Sequence, residues 1–288
     1  MTANIEGKSM SEVTLRYGYA ETPLGQLHYA EAGEGEAVIL LHQTPRSLDE
    51  FREVHPLLAA KRRVIAMDMY GFGMSAKPAP GCPQTIEQYA AGVIALADAL
   101  QLERFTLVGH HTGMFVASEV AAALPDRVSA SVLSAGAFAD SLFRTTRQMS
   151  ESTSPGKGVD VVTGQEDGEH LKQLWAKRYS FYPEGRPDLL DRFIRDALAP
   201  GVDPAEGHRA CARYVMENRV GLVTAPILLL APTEDPVSYP HTHKIAAAYS
   251  NAKSVQIVEV EGGRIPLMEQ KSAEVVAAIE HFLDSLAL

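Results

Sequence analysis

The stretch Phe105–Glu119, FTLVGHHTGMFVASE, reads as a strand, a sharp turn and a helix. The run Phe105–Val108 is strand-like, and a helical pattern of apolar residues begins after Thr112. Gly109 and Gly113 bracket His110, His111 and Thr112. Small residues at both flanks permit a tight turn between strand and helix, with His111 at its centre. The N–H of Thr112, with a helix N-terminus behind it, would point at any anion forming beside His111.

Working outward, short apolar runs alternate with longer amphipathic stretches. The runs are Ala37–Leu41, Arg63–Met67, Phe105–Val108, Val128–Leu133, Ile227–Leu230 and Val255–Val258. Their nearly unbroken apolar character predicts parallel strands covered on both faces. Val13–Tyr19 and Gln26–Ala30 alternate, which suits an antiparallel hairpin around Pro23-Leu24-Gly25. Helical spacing appears at Leu48–Ala60, Thr85–Leu100, Thr112–Leu124, His241–Tyr249 and Ser272–Leu286. The alternation stops between about 140 and 222. There a polar segment, 149–168, precedes helical stretches at His170–Tyr179, Leu189–Leu198 and Ala205–Glu217. A helical insertion between two core strands predicts a lid or cap. The expected division is a core of 1–139 and 223–288 with a helical cap of 140–222.

These segments together resemble the α/β-hydrolase family. Gly109-His-His-Thr-Gly113 resembles its G-x-S-x-G nucleophile elbow, with His111 at the serine position. Leu40-Leu-His-Gln-Thr-Pro-Arg46 is similar to the family's H-G-x-P loop after the third strand. On that resemblance Thr44 and Thr112 supply the oxyanion N–H groups, and Gln43 replaces the loop's glycine. Asp68-Met-Tyr-Gly-Phe-Gly-Met-Ser75 looks like the D-x-x-G-x-G-x-S segment, Leu124-Pro-Asp-Arg-Val128 like the turn after the elbow helix, and Thr233-Glu-Asp235 like the acid loop. The implied fold is α/β: a mostly parallel eight-stranded sheet with flanking helices and a helical cap inserted after the sixth strand.

The resemblance fails at two of the three triad positions. His111 stands where the serine is expected. The last loop, Glu261-Gly-Gly-Arg-Ile-Pro266, carries Arg264 where the family carries its histidine, and Asp235 alone is retained. A Ser-His-Asp mechanism needs a hydroxyl to attack and an imidazole to take its proton. Neither is at its usual place. The expectation is that Arg264 pairs with Asp235 and holds an anionic group, while His111 acts as a base or nucleophile. Such a set suits proton abstraction beside a carbonyl, decarboxylation, C–C cleavage or lactone opening. A general base requires one group fewer than a histidine nucleophile. The competing reading is a catalytically inactive member that binds a small ligand in the old pocket.

His42, Gln43, Arg46, Tyr70, His110, Met114, Trp175 and Tyr179 are the candidate substrate-binding residues. Arg46 is placed to reach a substrate carboxylate, and Trp175 and Tyr179 belong to an aromatic group with Phe181 and Tyr182. Zinc needs three convergent ligands. Among His42, His110, His111, His241 and His243, adjacent or i,i+2 positions do not converge, so no metal site is expected. Gly71-Phe-Gly73 lacks the third glycine of a dinucleotide loop, so no cofactor is expected either.

The chain has 288 residues, 46% of them hydrophobic and 22% charged, which is ordinary globular composition. With 26 Lys and Arg against 36 Asp and Glu, the net charge of -10 argues against nucleic acid and anionic lipid as partners. No stretch reaches the roughly 18 apolar residues of a membrane span. The start lacks a basic-then-apolar leader, and Cys82 and Cys211 fit two reduced thiols, so a cytoplasmic location is expected. A small molecule is the expected partner, and the oligomeric state stays open, a homodimer included.

Overall fold

The structure is a computed structural model that describes residues 13–146 and 160–286. Most of the polar run at 149–168 therefore lies outside the described residues. Eight strands form one sheet: β1 (Arg16–Thr22), β2 (Gly25–Ala32), β3 (Ala37–Leu41), β4 (Arg63–Met67), β5 (Phe105–His110), β6 (Val128–Ser134), β7 (Ile227–Pro232) and β8 (Val255–Val260). Their order is β1-β2-β4-β3-β5-β6-β7-β8. β1 and β2 form the expected hairpin, β2 runs antiparallel to β4, and the remaining pairs are parallel.

The apolar strands are apolar because both of their faces are covered. Ile39 and Leu41 of β3 enter one buried cluster with Val93, Leu96 and Val116, which come from α2 (Ile86–Ala99) and α3 (Thr112–Ala123). Val38 and Leu40 point the other way, into a cluster with Leu58 of α1 (Val54–Leu58) and Ile279 and Phe282 of the helix Ser272–Ser285. Successive side chains of a strand alternate in face, so two helical layers consume the whole run. The stretch Leu48–Ala60, expected as one helix, is split into a 3-10 turn, Leu48–Phe51, and α1.

Between β6 and β7 the chain forms the helices Glu169–Tyr179, Pro187–Ala197 and Glu206–Arg213. This insertion has an apolar cluster of its own, built on Leu174, Tyr182, Leu189, Leu190 and Phe193. It is attached to the core through apolar packing, with Ala210, Cys211 and Tyr214 in the same buried cluster as Phe115 and Val116, and through ion pairs. Arg192 reaches Asp49 Oδ2 at 2.8 Å and Glu53 Oε1 at 2.7 Å, while Asp196 accepts from Arg46 Nε at 2.9 Å and Ser47 Oγ at 3.0 Å. No helix among the described residues is long and apolar enough to cross a membrane.

Candidate active site

The turn after β5 carries His111 at φ 47°, ψ -111°, a conformation that L residues seldom adopt. Two glycines make it feasible. A Cβ on Gly109 would lie 2.2 Å from the Gly113 carbonyl oxygen, and one on Gly113 would lie 2.0 Å from that of Leu41. The His111 N–H donates to Ser134 O at 2.9 Å, and its carbonyl accepts from Met114 N at 2.9 Å, which pins the turn on both sides. The side chain stands clear of the strand ends, on the wall of a cavity of about 150 Å³.

Asp235, in the loop after β7, meets His111. Oδ2 lies 3.0 Å from His111 Nε2, off the ring N–H direction, so the contact is an ion-pair distance and not an aligned hydrogen bond. Burial alone would raise the Asp235 carboxyl. The His111 imidazole, the Ser238 hydroxyl at 2.6 Å and the Val237 N–H at 2.8 Å outweigh burial and hold it well below the usual carboxylate range.

Arg264 is not at Asp235, contrary to the sequence expectation. Its Nε donates to Glu234 Oε2 at 2.9 Å and its Nη1 to the Tyr182 carbonyl at 3.2 Å. The physical reason is solvent. Glu234 is half-exposed, so the guanidinium keeps much of its hydration there, whereas Asp235 is buried and already faces His111.

On the opposite side of the elbow, Thr44 and Thr112 lie together, with their hydroxyl oxygens 2.9 Å apart. Thr112 opens α3, so its N–H has no carbonyl a turn earlier to bind. The Thr44 loop is held from below by Glu50, which accepts from Gln43 N at 2.7 Å and from Gln43 Nε2 at 2.6 Å. Burial pushes Glu50 up to about 8, with Arg46 and the two Gln43 donors opposing and Glu269 adding to it.

Gln43, Thr44, His111 and Thr112 line the cavity. The other candidates do different work. His42 is buried, donates from Nδ1 to Gln43 O at 2.7 Å and accepts the Met69 N–H at Nε2, so it braces the Thr44 loop. His110 lies beneath His111, with ring centroids 4.7 Å apart, and donates from Nε2 to Ile265 O at 2.8 Å. Burial, then the neighbouring His111, push its pKa down to about 3, so it stays neutral. Arg46 is fully buried between Asp196 and Glu269 and cannot reach a substrate carboxylate. Tyr70 packs in the core, Met114 lines a separate small cavity, Trp175 backs the insertion's own cluster, and Tyr179 is exposed. Phe115, Phe143, Arg178, His208 and Cys211 also line this cavity, and no motif in the sequence marks them. Among the described residues, no group of three or more His, Cys, Asp or Glu is placed to hold a metal ion.

Residues 36–270 match the sequence family described as the alpha/beta hydrolase fold. The chain belongs to the α/β-hydrolase-fold family. Among its relatives, the 2-hydroxy-6-oxononadienedioate/2-hydroxy-6-oxononatrienedioate hydrolase of Paraburkholderia xenovorans is 34% identical over 145 residues, 47% of this chain and 49% of that one. The 2-hydroxy-6-oxo-2,4-heptadienoate hydrolase of Pseudomonas putida is 36% identical over 106 residues, 36% of this chain and 38% of that one. The chain thus spans less than half the length of these curated relatives. An enol-lactonase from Burkholderia xenovorans superposes with a TM-score of 0.75 at 19% identity, covering 93% of this chain and 100% of that one. At that identity the likeness is one of fold.

Proposed function

We propose that this protein is a hydrolase of small carbonyl-bearing molecules in which His111, oriented by Asp235, is the general base and water is the nucleophile. The observation that carries this reading is the 3.0 Å His111–Asp235 contact at the wall of a cavity shared with Thr44 and Thr112. Asp235 stands at ion-pair distance from Nε2, which leaves Nδ1 as the ring nitrogen for water or substrate. A substrate carbonyl seated against the N–H groups of Thr44 and Thr112 has its developing oxyanion stabilised there. Water adds to the carbonyl carbon as His111 takes its proton. Collapse of the adduct then breaks the bond to the leaving group, with carbon or oxygen as the leaving atom. The hydrolase names of the relatives support the reaction class. The division into a core of 1–139 and 223–288 and a cap of 140–222 belongs to the same reading, since Arg178, Phe181 and His208 of the insertion line the cavity.

The test is a panel of small esters, lactones, β-keto acids and C–C hydrolase substrates, assayed with the wild type and His111→Ala. Turnover that falls by about 10²- to 10⁴-fold in the variant supports a histidine base. Equal turnover in both overturns it, as does rapid inactivation of the wild type by a serine-directed phosphonate. Ligand-dependent thermal stabilisation without turnover assigns the cavity to binding alone.

A further inference from the structure

The cavity holds a second histidine–carboxylate pair. His208, on the helix Glu206–Arg213, lines the cavity from the insertion, and its Nε2 lies 2.8 Å from Asp160 Oδ2. Asp160 is fully buried, and Arg178 also clasps it, with Nε 2.6 Å from Oδ1 and Nη2 on Oδ2. Arg178 Nη2 lies 3.4 Å from His208 Nε2 as well. Burial would favour a neutral Asp160, yet Arg178 and His208 hold its carboxyl below the ordinary value. His208 is thus an imidazole with one nitrogen committed to a carboxylate and a half-buried ring facing the cavity.

The helix that carries it is seated on the oxyanion threonines. A Cβ on Gly207 would fall 1.9 Å from Thr44 Oγ1, and Cys211 Sγ lies 3.9 Å from Thr112 Oγ1. Positions 207 and 211 are one turn apart and face the two threonines together. Position 208 is three residues before Cys211, and i,i+3 positions are neighbours on a helix surface. His208 therefore lines the cavity from the helix seated on the two threonines, whereas His111 lines it from the turn after β5.

We propose that His208, oriented by Asp160, is the general acid that protonates the leaving group, supplying from the insertion the second imidazole that Arg264 has replaced in the core. This rests on the hydrolase reading above. The steps balance: water gives its proton to His111 as its oxygen bonds to the carbonyl carbon. The bond to the leaving atom then breaks, and that atom takes the proton of the His208 imidazolium. Exchange with solvent returns one proton from His111 and delivers one to His208, so the net reaction consumes substrate and water alone.

A general acid matters in proportion to the basicity of what leaves, so the experiment compares two esters of one small acid, a p-nitrophenyl and an ethyl ester. Nitrophenolate departs unaided and ethoxide does not. His208→Gln is expected to lower kcat/KM for the ethyl ester by about 100-fold and that for the nitrophenyl ester by less than about threefold. Asp160→Asn should give the same ordering with smaller losses. Equal losses on both esters assign His208 a structural or binding role and overturn the proposal, and so does no loss on either. Failure of the underlying reading looks different. In that case His111→Ala matches the wild type on both esters, or the wild type hydrolyses neither, and the acid role falls with it.

Discussion

Gly207 of the insertion and Thr44 of the loop after β3 touch so closely that a Cβ on Gly207 would lie 1.9 Å from Thr44 Oγ1 and 2.4 Å from Thr44 Cβ. Gly207 is the second residue of its helix, Glu206–Arg213, outside the interior where glycine costs roughly 0.5–1 kcal/mol relative to alanine. At this site the glycine is what lets the insertion settle onto the core.

The sign of Gly207→Ala is therefore decided by contact and not by helix propensity. Thr44 is β-branched and short, and its loop is fixed by His42, Glu50 and Gln43, so it has no room to give. Gly207→Ala should lose about 1–3 kcal/mol in thermal or urea unfolding and lower kcat/KM more than ten-fold, about 1.4 kcal/mol. A variant as stable as the wild type would show that the helix slides freely.

His111→Ser is expected to be inactive, because Arg264 offers no base for the introduced hydroxyl. Adding Arg264→His restores the family's side-chain set on a turn that already has the strained backbone at 111. The double variant should react with a fluorophosphonate at least about ten times faster than either single variant. Intact-mass spectrometry after timed exposure measures this, and equal labelling of all three would refute it.

Arg46 neutralises two buried carboxylates, Asp196 from the insertion and Glu269 from the core. Arg46→Met keeps most of the volume and leaves both acids without their shared cation. A loss of about 3–5 kcal/mol is expected in denaturant unfolding. A change below about 1 kcal/mol would mean that Arg192 takes over the role, since it already lies 3.4 Å from Glu269.

Glu50 predicts a pH effect on stability. Its ordinary value is 4.5 and burial raises it to about 8 in the folded protein. A raised folded value means that its contribution is full below 4.5, is lost progressively as pH rises from 4.5 to 8, and is gone above 8. Glu50→Gln cannot ionise, so its stability should fall less steeply across that window, by up to about 1.4 kcal/mol per pH unit. Parallel unfolding curves at pH 5, 6, 7 and 8 would sink this account, the pH values being set by about the window above.

The sheet was legible because each central strand is covered on two faces, and a continuous run such as Ala37–Leu41 admits few other readings. The elbow was legible because its glycines answer a local steric demand, the carbonyls of Gly113 and Leu41. Pairings between distant residues were not. Arg46 meets partners 150 and 223 residues away, and Asp160 meets His208 across 48 residues in a segment with no motif. Arg264 shows the finest limit. Glu234 and Asp235 are neighbours in sequence, and only the direction of the loop decides which carboxylate faces solvent and which faces His111.

The bond from His110 Nε2 to the Ile265 carbonyl has a consequence for how such a chain diverges. It ties the elbow to the last loop from the His110 side chain to a backbone carbonyl, so this tie does not depend on which side chain stands at 264. A lineage can then exchange the residue there in a single step without first redesigning the turn around it. The anchoring of the loop and the identity of its side chain at 264 are separate matters, and one neutral, buried imidazole does the anchoring.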